Sequence, residues 1–417
     1  MRLIKVIAGG AIVVLLVILL TKPHPSARKA TEFYQKAADR ANAVAQSNLG
    51  LRYQNAQGVP KDLGKAAELL EKAASRGFAP AQYGLGLLYA TGQGVPKDLG
   101  KAAELYQKAA DQGYADAQNN LGWLRETGEG VPKDLGKAAE LYQKATNQGN
   151  AGAQNNLGLL YATGQGMPKD LNKAAELYQK AADQGYADAQ NNLGVLYATG
   201  EGVPKDLGKA AELYQKATDQ GYAVAQTNLG RLYATGNGVP KDLGKATELF
   251  QKAADQEYAV AQNILGWLYE TGEGVPKDLG KAAELYQKAA DQGNADAQNN
   301  LGWLRETGEG VRKDLAKATE LYQKASDQGN AGAQTNLGRL YATGQGMPKD
   351  LGKAAELFQK AADQGYAAAQ VGLGLLYATG EGMPKDLAKA TELFQKAADQ
   401  GNEIATTLLK RRSAEND

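Results

Sequence analysis

The 417-residue chain contains no cysteine and only one histidine, His24. Without cysteine it can form no disulfide, thiolate metal site or cysteine nucleophile, and with a single histidine the ordinary catalytic triads and zinc sites are unavailable. The chain also has no large excess of charge of one sign, because 47 Lys and Arg stand against 46 Asp and Glu and both signs are mixed along most of the sequence. No basic stripe is left for nucleic acid, and we expect no nucleic-acid binding.

Two short motifs superficially suggest chemistry. Gly92-Gln93-Gly94 has the spacing of a phosphate-binding turn, but it follows a helical pattern, whereas the dinucleotide motif follows a strand. Ser26-Ala27-Arg28-Lys29 matches the Ser-x-x-Lys of penicillin-recognising hydrolases, but the partner motifs of that class are absent from the sequence. We therefore expect no enzyme, no cofactor and no bound metal.

What the chain has in abundance is one hexapeptide, Gly-Val-Pro-Lys-Asp-Leu at 94–99, which returns along nearly its whole length. Pro60 and Pro96 are 36 residues apart (96 − 60 = 36), and every later copy keeps that interval. The position of the proline is occupied by Pro60, Pro96, Pro132, Pro168, Pro204, Pro240, Pro276, Arg312, Pro348 and Pro384. A fixed period of this size is typical of a solenoid, in which each unit contacts mainly its neighbours.

Each copy contains two helical patterns separated by glycine-marked turns. In the copy at 81–116, the apolar residues of the first helix recur at i, i+4, i+7 and i+8, on one helical face: Ala81, Leu85, Leu88 and Tyr89. Gly92 is placed to end this helix in the left-handed conformation, and Asp98 is placed to cap the second. No strand pattern is present, so the sequence predicts an all-α fold.

Two positions carry unusual local information. Gly86 lies in the middle of the first helix, where glycine costs about 1 kcal/mol relative to alanine, yet every copy has glycine there. We infer that two helices approach closely at this point. Glu257 replaces the turn glycine found at Gly113, and a left-handed conformation there would cost on the order of 1 kcal/mol.

The pattern Ala-x-x-x-Leu-Gly-x-x-Tyr-x-x-Gly-x-Gly-Val-Pro-x-Asp-x-x-Lys-Ala-x-x-x-Tyr-x-x-Ala-Ala-x-x-Gly, read from Ala81 to Gly113, resembles the SEL-one-like repeat family, relatives of the tetratricopeptide repeat. The resemblance implies a right-handed α-solenoid, a superhelix of ten antiparallel helix pairs with half-repeats at both ends. It also implies a scaffold for protein partners, with the first helices lining the concave surface.

The ends of the array divide the chain into four expected segments. These are an N-terminal transmembrane anchor or uncleaved signal at 1–22, a linker and half-repeat helix at 23–40, ten repeats at 41–400, and a capping helix with a polar tail at 401–417. Solenoids need such atypical, more polar ends, because a terminal unit has a neighbour on one side only.

The N-terminal segment predicts a membrane location. An uncharged apolar run at 6–20 follows Arg2 and Lys5, and a helix over 3–21 comes close to spanning the hydrocarbon layer of about 30 Å. A cleaved signal peptide is the alternative, although Pro25 occupies a position where a cleavage site needs a small residue. We expect a single anchor with the repeats outside the cytoplasm, in a periplasm or lumen.

The positions that differ between copies are freer to carry specificity than the repeated framework. At 100° per residue, three of them fall on the face opposite the core residue Leu121. The candidate partner-binding residues are Asn119, Trp123, Glu126, Asn263, Trp267, Glu270, Asn299, Trp303 and Glu306, with Arg231 and Arg339 in two further copies. Tryptophan and arginine are enriched at binding hot spots. The alternative is that the tryptophans pack against the next repeat, and near-identity of 111–131 and 291–311 also suggests recent duplication.

We therefore predict a membrane-anchored helical-repeat scaffold or adaptor that binds a protein or peptide in its concave groove. The alternative is a receptor for cell-wall glycan or peptide fragments, because tryptophan faces flanked by Asn and Glu also suit sugar stacking and hydroxyl hydrogen bonds. A hydrolase is a remote third possibility. The oligomeric state is left open.

Overall fold

The computed structural model describes residues 25–416, which form 22 α-helices and no strand within that range. The helices are α1 Pro25–Asp39, α2 Ala43–Gln54, α3 Leu63–Ala74, α4 Ala79–Thr91, α5 Leu99–Asp111, α6 Ala115–Thr127, α7 Leu135–Asn147, α8 Ala151–Thr163, α9 Leu171–Asp183, α10 Ala187–Thr199, α11 Leu207–Asp219, α12 Ala223–Thr235, α13 Leu243–Asp255, α14 Ala259–Thr271, α15 Leu279–Asp291, α16 Ala295–Thr307, α17 Leu315–Asp327, α18 Ala331–Thr343, α19 Leu351–Asp363, α20 Ala367–Thr379, α21 Leu387–Asp399 and α22 Glu403–Asn416.

The described helices fall into two compact units, which meet in the sequence at Gln220 and Gly221. We call them the N-terminal unit, α1–α11, and the C-terminal unit, α12–α22. Within each unit, consecutive helices pack pairwise in the order of the sequence. The predicted all-α fold, an α-solenoid of tandem helix pairs, is confirmed. We call the even-numbered helices α2–α20 the first helices and the odd-numbered helices α3–α21 the second helices.

The helix ends form as the sequence predicts. Gly92 adopts φ +72° after α4, and its backbone N–H donates to the carbonyl of Leu88. The Asp98 side chain accepts a hydrogen bond of 2.9 Å from the backbone N–H of Lys101, which satisfies a free donor at the start of α5. The repeated hexapeptide therefore ends in the residue that caps the second helix.

A buried glutamine on a first helix can link two successive second helices, as it does in α4. Gln82 of α4 is only 4% exposed. Its amide nitrogen donates to the carbonyl of Ala74 at the end of α3, and its oxygen accepts from Gln112 Nε2 at the end of α5, at 2.7 Å. Because both polar groups of the buried amide are satisfied, it fixes neighbouring pairs without an unpaired group in the core.

The predicted close approach at the mid-helix glycine is confirmed. A Cβ atom built on Gly86 would lie 2.6 Å from the Tyr106 ring, well inside van der Waals contact. Tyr106 is itself only 2% exposed. From α4 onward each first helix therefore needs a hydrogen side chain here, because the aromatic ring of its paired second helix lies directly against the backbone. In the pair α2 and α3, Leu70 takes the place of the ring, 3.0 Å from a Cβ built on Gly50.

Glu257 does adopt the left-handed conformation, with φ +61°. Its counterparts Gly221 and Gly293 have φ +80° and +88°. An L-residue is strained in this region, because its Cβ crowds the following carbonyl oxygen. The array therefore contains a locally strained turn between α13 and α14.

The predicted localisation, membrane-anchored with the repeats outside the cytoplasm, is corrected by the structure. From residue 25 to residue 416 no helix is long and apolar enough to cross a membrane. The longest, α1, has 15 residues, which at 1.5 Å per residue is about 22 Å against a hydrocarbon layer of about 30 Å. The predicted anchor at 1–22 lies outside the described residues.

The glycine contact predicts the effect of adding one methyl group. A Cβ at Gly230 would lie 2.7 Å from the Phe250 ring, so Gly230→Ala should lower the free energy of unfolding by about 1–3 kcal/mol in urea unfolding followed by circular dichroism. The matched control is Gly244→Ala in the paired helix, whose Cβ meets only Asp242 Oδ1 at 3.4 Å. Alanine stands at the equivalent Ala316, and the control should be neutral or slightly stabilising. Equal effects of the two substitutions would contradict the close approach.

The strained turn predicts a stabilising substitution. Glu257→Gly should raise the free energy of unfolding by about 1 kcal/mol, because glycine adopts positive φ without the Cβ penalty. The reverse change, Gly293→Glu, should destabilise by a similar amount, since a Cβ there meets no atom within 4 Å and only the backbone is strained. Urea midpoints measure both, and a destabilised Glu257→Gly variant would show that the carboxylate matters more than the strain.

Candidate functional site

Within each unit, a row of side chains runs along the first helices on the face away from the helix-pair core. We call it the first-helix stripe and define it by the position of Trp123. In the N-terminal unit it consists of Leu51, Leu87, Trp123, Leu159 and Val195, and in the C-terminal unit of Arg231, Trp267, Trp303, Arg339 and Leu375. The core residue Leu121, two positions before Trp123, is 1% exposed, so helical geometry directs the stripe outwards.

Most side chains of the stripe are large, apolar and exposed. Six of the eleven exposed large hydrophobic side chains in the described part of the chain lie on it. Trp267 and Trp303 are 45% and 36% exposed, whereas Trp123 is half-buried and packs partly against the core cluster between α5 and α6. Exposed apolar side chains that recur in a row indicate a contact surface.

The predicted asparagines lie beside the stripe but are occupied internally. Asn119 is 4% exposed, and its Oδ1 accepts a hydrogen bond of 3.0 Å from Asn156 Nδ2 on the next first helix. Asn263 and Asn299 accept in the same way from Asn300 and Asn336, at 3.1 and 3.0 Å. These amides form a ladder between neighbouring first helices within each unit.

The predicted glutamates contact the aromatic core of their own pair. Tyr142 donates a hydrogen bond from its hydroxyl to Glu126 Oε2 at 2.7 Å. The same bond links Tyr286 to Glu270 at 2.5 Å and Tyr322 to Glu306 at 2.9 Å. The ring of Tyr142 reaches its glutamate by lying across Gly122, one helical turn earlier. The hydroxyl thus orients a partly buried carboxylate at the edge of the stripe.

The two predicted arginines differ in their surroundings. Arg339 Nη2 lies 2.6 Å from both carboxylate oxygens of Glu306, which belongs to the preceding first helix. The Glu306 side chain is 12% exposed and that of Arg339 is 41% exposed. Arg231 is exposed to solvent. The structure therefore brings the arginine and glutamate positions of neighbouring copies together across 33 residues.

Sequence reasoning missed the partners that engage these polar groups. Asn156 and Tyr142 are not among the predicted site residues, although they bond to the candidate residues Asn119 and Glu126. A signal was present in the sequence, because each of Glu126, Glu270 and Glu306 is followed sixteen positions later by tyrosine, never by phenylalanine. A co-varying pair between copies indicates a spatial contact.

No group of histidine and acidic side chains that could hold a metal occurs in the part of the chain that the structure describes.

The Sel1 repeat family model matches the chain from residue 22 to residue 402. The first match, 22–42, is partial, and the others are 43–78, 79–114, 115–150, 151–186, 187–222, 223–258, 259–294, 295–330, 331–366 and 367–402. These matches cover far more than half of the sequence.

Two solved structures are similar over most of this chain. The first is c5321, a protective antigen present in uropathogenic Escherichia coli strains that displays an SLR fold, with 38% identity over 91% of this chain and 81% of that one and a TM-score of 0.66. The second is a Sel1 repeat protein from Oxalobacter formigenes, with 34% identity over 78% of this chain and 92% of that one and a TM-score of 0.51. No curated protein matches the chain.

The buried tyrosines predict how stability depends on pH. Burial raises the pKa of Tyr142, and the Glu126 carboxylate adds to the shift. Burial likewise raises the pKa of Tyr178 and Tyr322. Because the folded state favours the neutral phenols, their contribution to stability is complete below the ordinary pKa of 10.0 and is lost as pH rises above it.

We therefore expect helicity to fall cooperatively above about pH 10, and the tyrosines that are buried in the folded state to ionise over the same pH range. Circular dichroism and near-ultraviolet absorbance, measured on one sample, report the two events. Ionisation of all tyrosines before any loss of helicity would contradict this linkage.

Proposed function

The chain belongs to the Sel1 repeat family, whose members are protein-interaction scaffolds, and on that premise we propose that it binds a protein or peptide segment along the first-helix stripe without catalysing a reaction. The observation that carries the proposal is the row of exposed Trp, Leu and Val side chains on one face of the first helices. Large side chains in such a row can anchor a partner at several points.

Variation between copies supports a specific partner. The framework glycine, glutamine and aromatic positions are nearly constant, whereas the stripe position holds leucine, tryptophan, arginine or valine. An array of equivalent positions with different side chains presents a different contact at each step. A partner segment lying along the stripe would therefore be recognised by its sequence as well as by its apolar content.

The glycan alternative has less support. Sugar recognition needs polar side chains beside the stacking ring, to hydrogen-bond hydroxyl groups. Asn119 beside Trp123 is buried in the asparagine ladder and does not face a ligand on the stripe. We therefore favour a protein segment and treat glycan binding as an outcome that the experiment can reveal.

The proposal is tested with the full chain and peptides selected on it from a random-sequence display library. Changing Trp123, Trp267 and Trp303 to alanine should weaken binding of the selected peptides about tenfold or more, because tryptophan truncation at an interface commonly costs over 1 kcal/mol. Fluorescence anisotropy measures the affinity, and circular dichroism checks the fold.

The matched control changes three exposed lysines on second helices to alanine: Lys108, Lys144 and Lys288. This variant should bind as the unchanged chain does. Undiminished binding by the triple tryptophan variant would reject the stripe as the site. Binding of cell-wall glycan fragments with no peptide selected would replace the proposal by the glycan receptor.

A further inference from the structure

Resting on the proposed function, we propose that the partner segment carries an arginine beside an apolar residue, and that Glu126 in the N-terminal unit and Glu270 in the C-terminal unit receive the guanidinium. The inference concerns the chemistry of the partner at two equivalent places on the stripe. Each place combines a carboxylate held by a tyrosine hydroxyl with a tryptophan on the same helix.

The chain contains its own example of the occupied site. Glu306 accepts from Tyr322, at 2.9 Å, and both of its oxygens lie 2.6 Å from Arg339 Nη2 on the next first helix. With this arginine in place, the Glu306 side chain is 12% exposed. The Glu306 copy thus shows that a guanidinium on the stripe can reach this carboxylate while the hydrogen bond from the tyrosine is kept.

The other two copies have the same carboxylate without the arginine. The position equivalent to Arg339, 33 residues after the glutamate, is Leu159 for Glu126 and Trp303 for Glu270. Tyr142 and Tyr286 hold these two carboxylates as Tyr322 holds Glu306. Over residues 25–416 no ion pair is formed by Glu126 or Glu270, so each presents a negative charge that nothing on the stripe neutralises.

Arginine fits this place better than other cations. Its planar fork offers a carboxylate several donors in a fixed geometry. In the Glu306 copy one of them, Arg339 Nη2, donates to both carboxylate oxygens. Trp123 and Trp267 lie three residues before their glutamates, and an indole face attracts a guanidinium through cation–π interaction. The exposed Leu159 and Trp303 then contact an apolar neighbour of the arginine.

The first experiment compares the peptides selected from the random-sequence library by the full chain and by its Glu126→Gln/Glu270→Gln variant. Glutamine keeps the size of the side chain and an oxygen that accepts from tyrosine, but removes the charge. We expect arginine next to an apolar residue to be enriched on the unchanged chain and not on the variant. Selected peptides without arginine enrichment would overturn this inference and leave the proposed function standing. Failure to select any peptide would remove both.

A second measurement uses one selected arginine peptide, its lysine analogue and its citrulline analogue, in which the guanidinium is replaced by a neutral urea group. The glutamine variant should bind the arginine peptide about tenfold more weakly than the unchanged chain does. The citrulline analogue should bind the unchanged chain and the glutamine variant with the same, weak affinity. The lysine analogue should bind the unchanged chain several-fold more weakly than arginine. Equal binding of arginine and citrulline peptides would overturn the inference.

The Glu306 copy supplies a matched gain-of-binding control. Arg339→Leu gives the Glu306 copy a leucine at the position that Leu159 occupies relative to Glu126, and it should free the Glu306 carboxylate. The variant then has a third site, so calorimetric titration should show more arginine peptides bound per chain. Adding Glu306→Gln to that variant should remove the gain. An unchanged stoichiometry in a folded Arg339→Leu variant would show that the carboxylate alone does not recruit the peptide.

Discussion

The contact between a mid-helix glycine and the aromatic ring of the paired second helix is the constraint on which the rest of the structure depends. A methyl group on Gly86 would overlap the Tyr106 ring, so the spacing of the two helices is fixed by the thickness of that ring. The glycine weakens the helix locally, but it allows a large buried aromatic side chain in every pair from α4 and α5 onward. The same contact at Gly122 brings the Tyr142 hydroxyl to Glu126 on the outer edge of the helix.

Stacking of pairs depends on buried amides, which also decide what remains for function. Gln82 links the ends of α3 and α5, and Asn119 links α6 to α8 through Asn156. These side chains satisfy one another in the interior, where an unpaired polar group would be costly. The surface that remains along the first helices is the stripe, with apolar side chains and a few oriented carboxylates. A face of this composition is suited to a protein segment more than to a polar small molecule.

Differences between copies distinguish positions that the repeated framework makes geometrically equivalent. Glu306 is neutralised by Arg339, whereas the equivalent carboxylates Glu126 and Glu270 face Leu159 and Trp303. Because the copies share one geometry, the closed pair of Glu306 and Arg339 is the observation on which the proposed arginine recognition by Glu126 and Glu270 depends.

The sequence by itself determined the helix pairs, their capping residues, the close approach at Gly86 and the left-handed turn at Glu257, because these depend on local backbone preferences and on a period visible in one chain. It also placed Trp267 and Trp303 on an outward face, since helical spacing fixes direction. Only the tertiary structure decided whether the polar residues beside the tryptophans are already hydrogen-bonded within the protein. Asn119 and Glu126 share that face by spacing, yet hydrogen bonds to residues 37 and 16 positions away engage them. The geometry of a single helix does not bring residues so far apart in sequence into contact, so these bonds depend on how neighbouring helices pack.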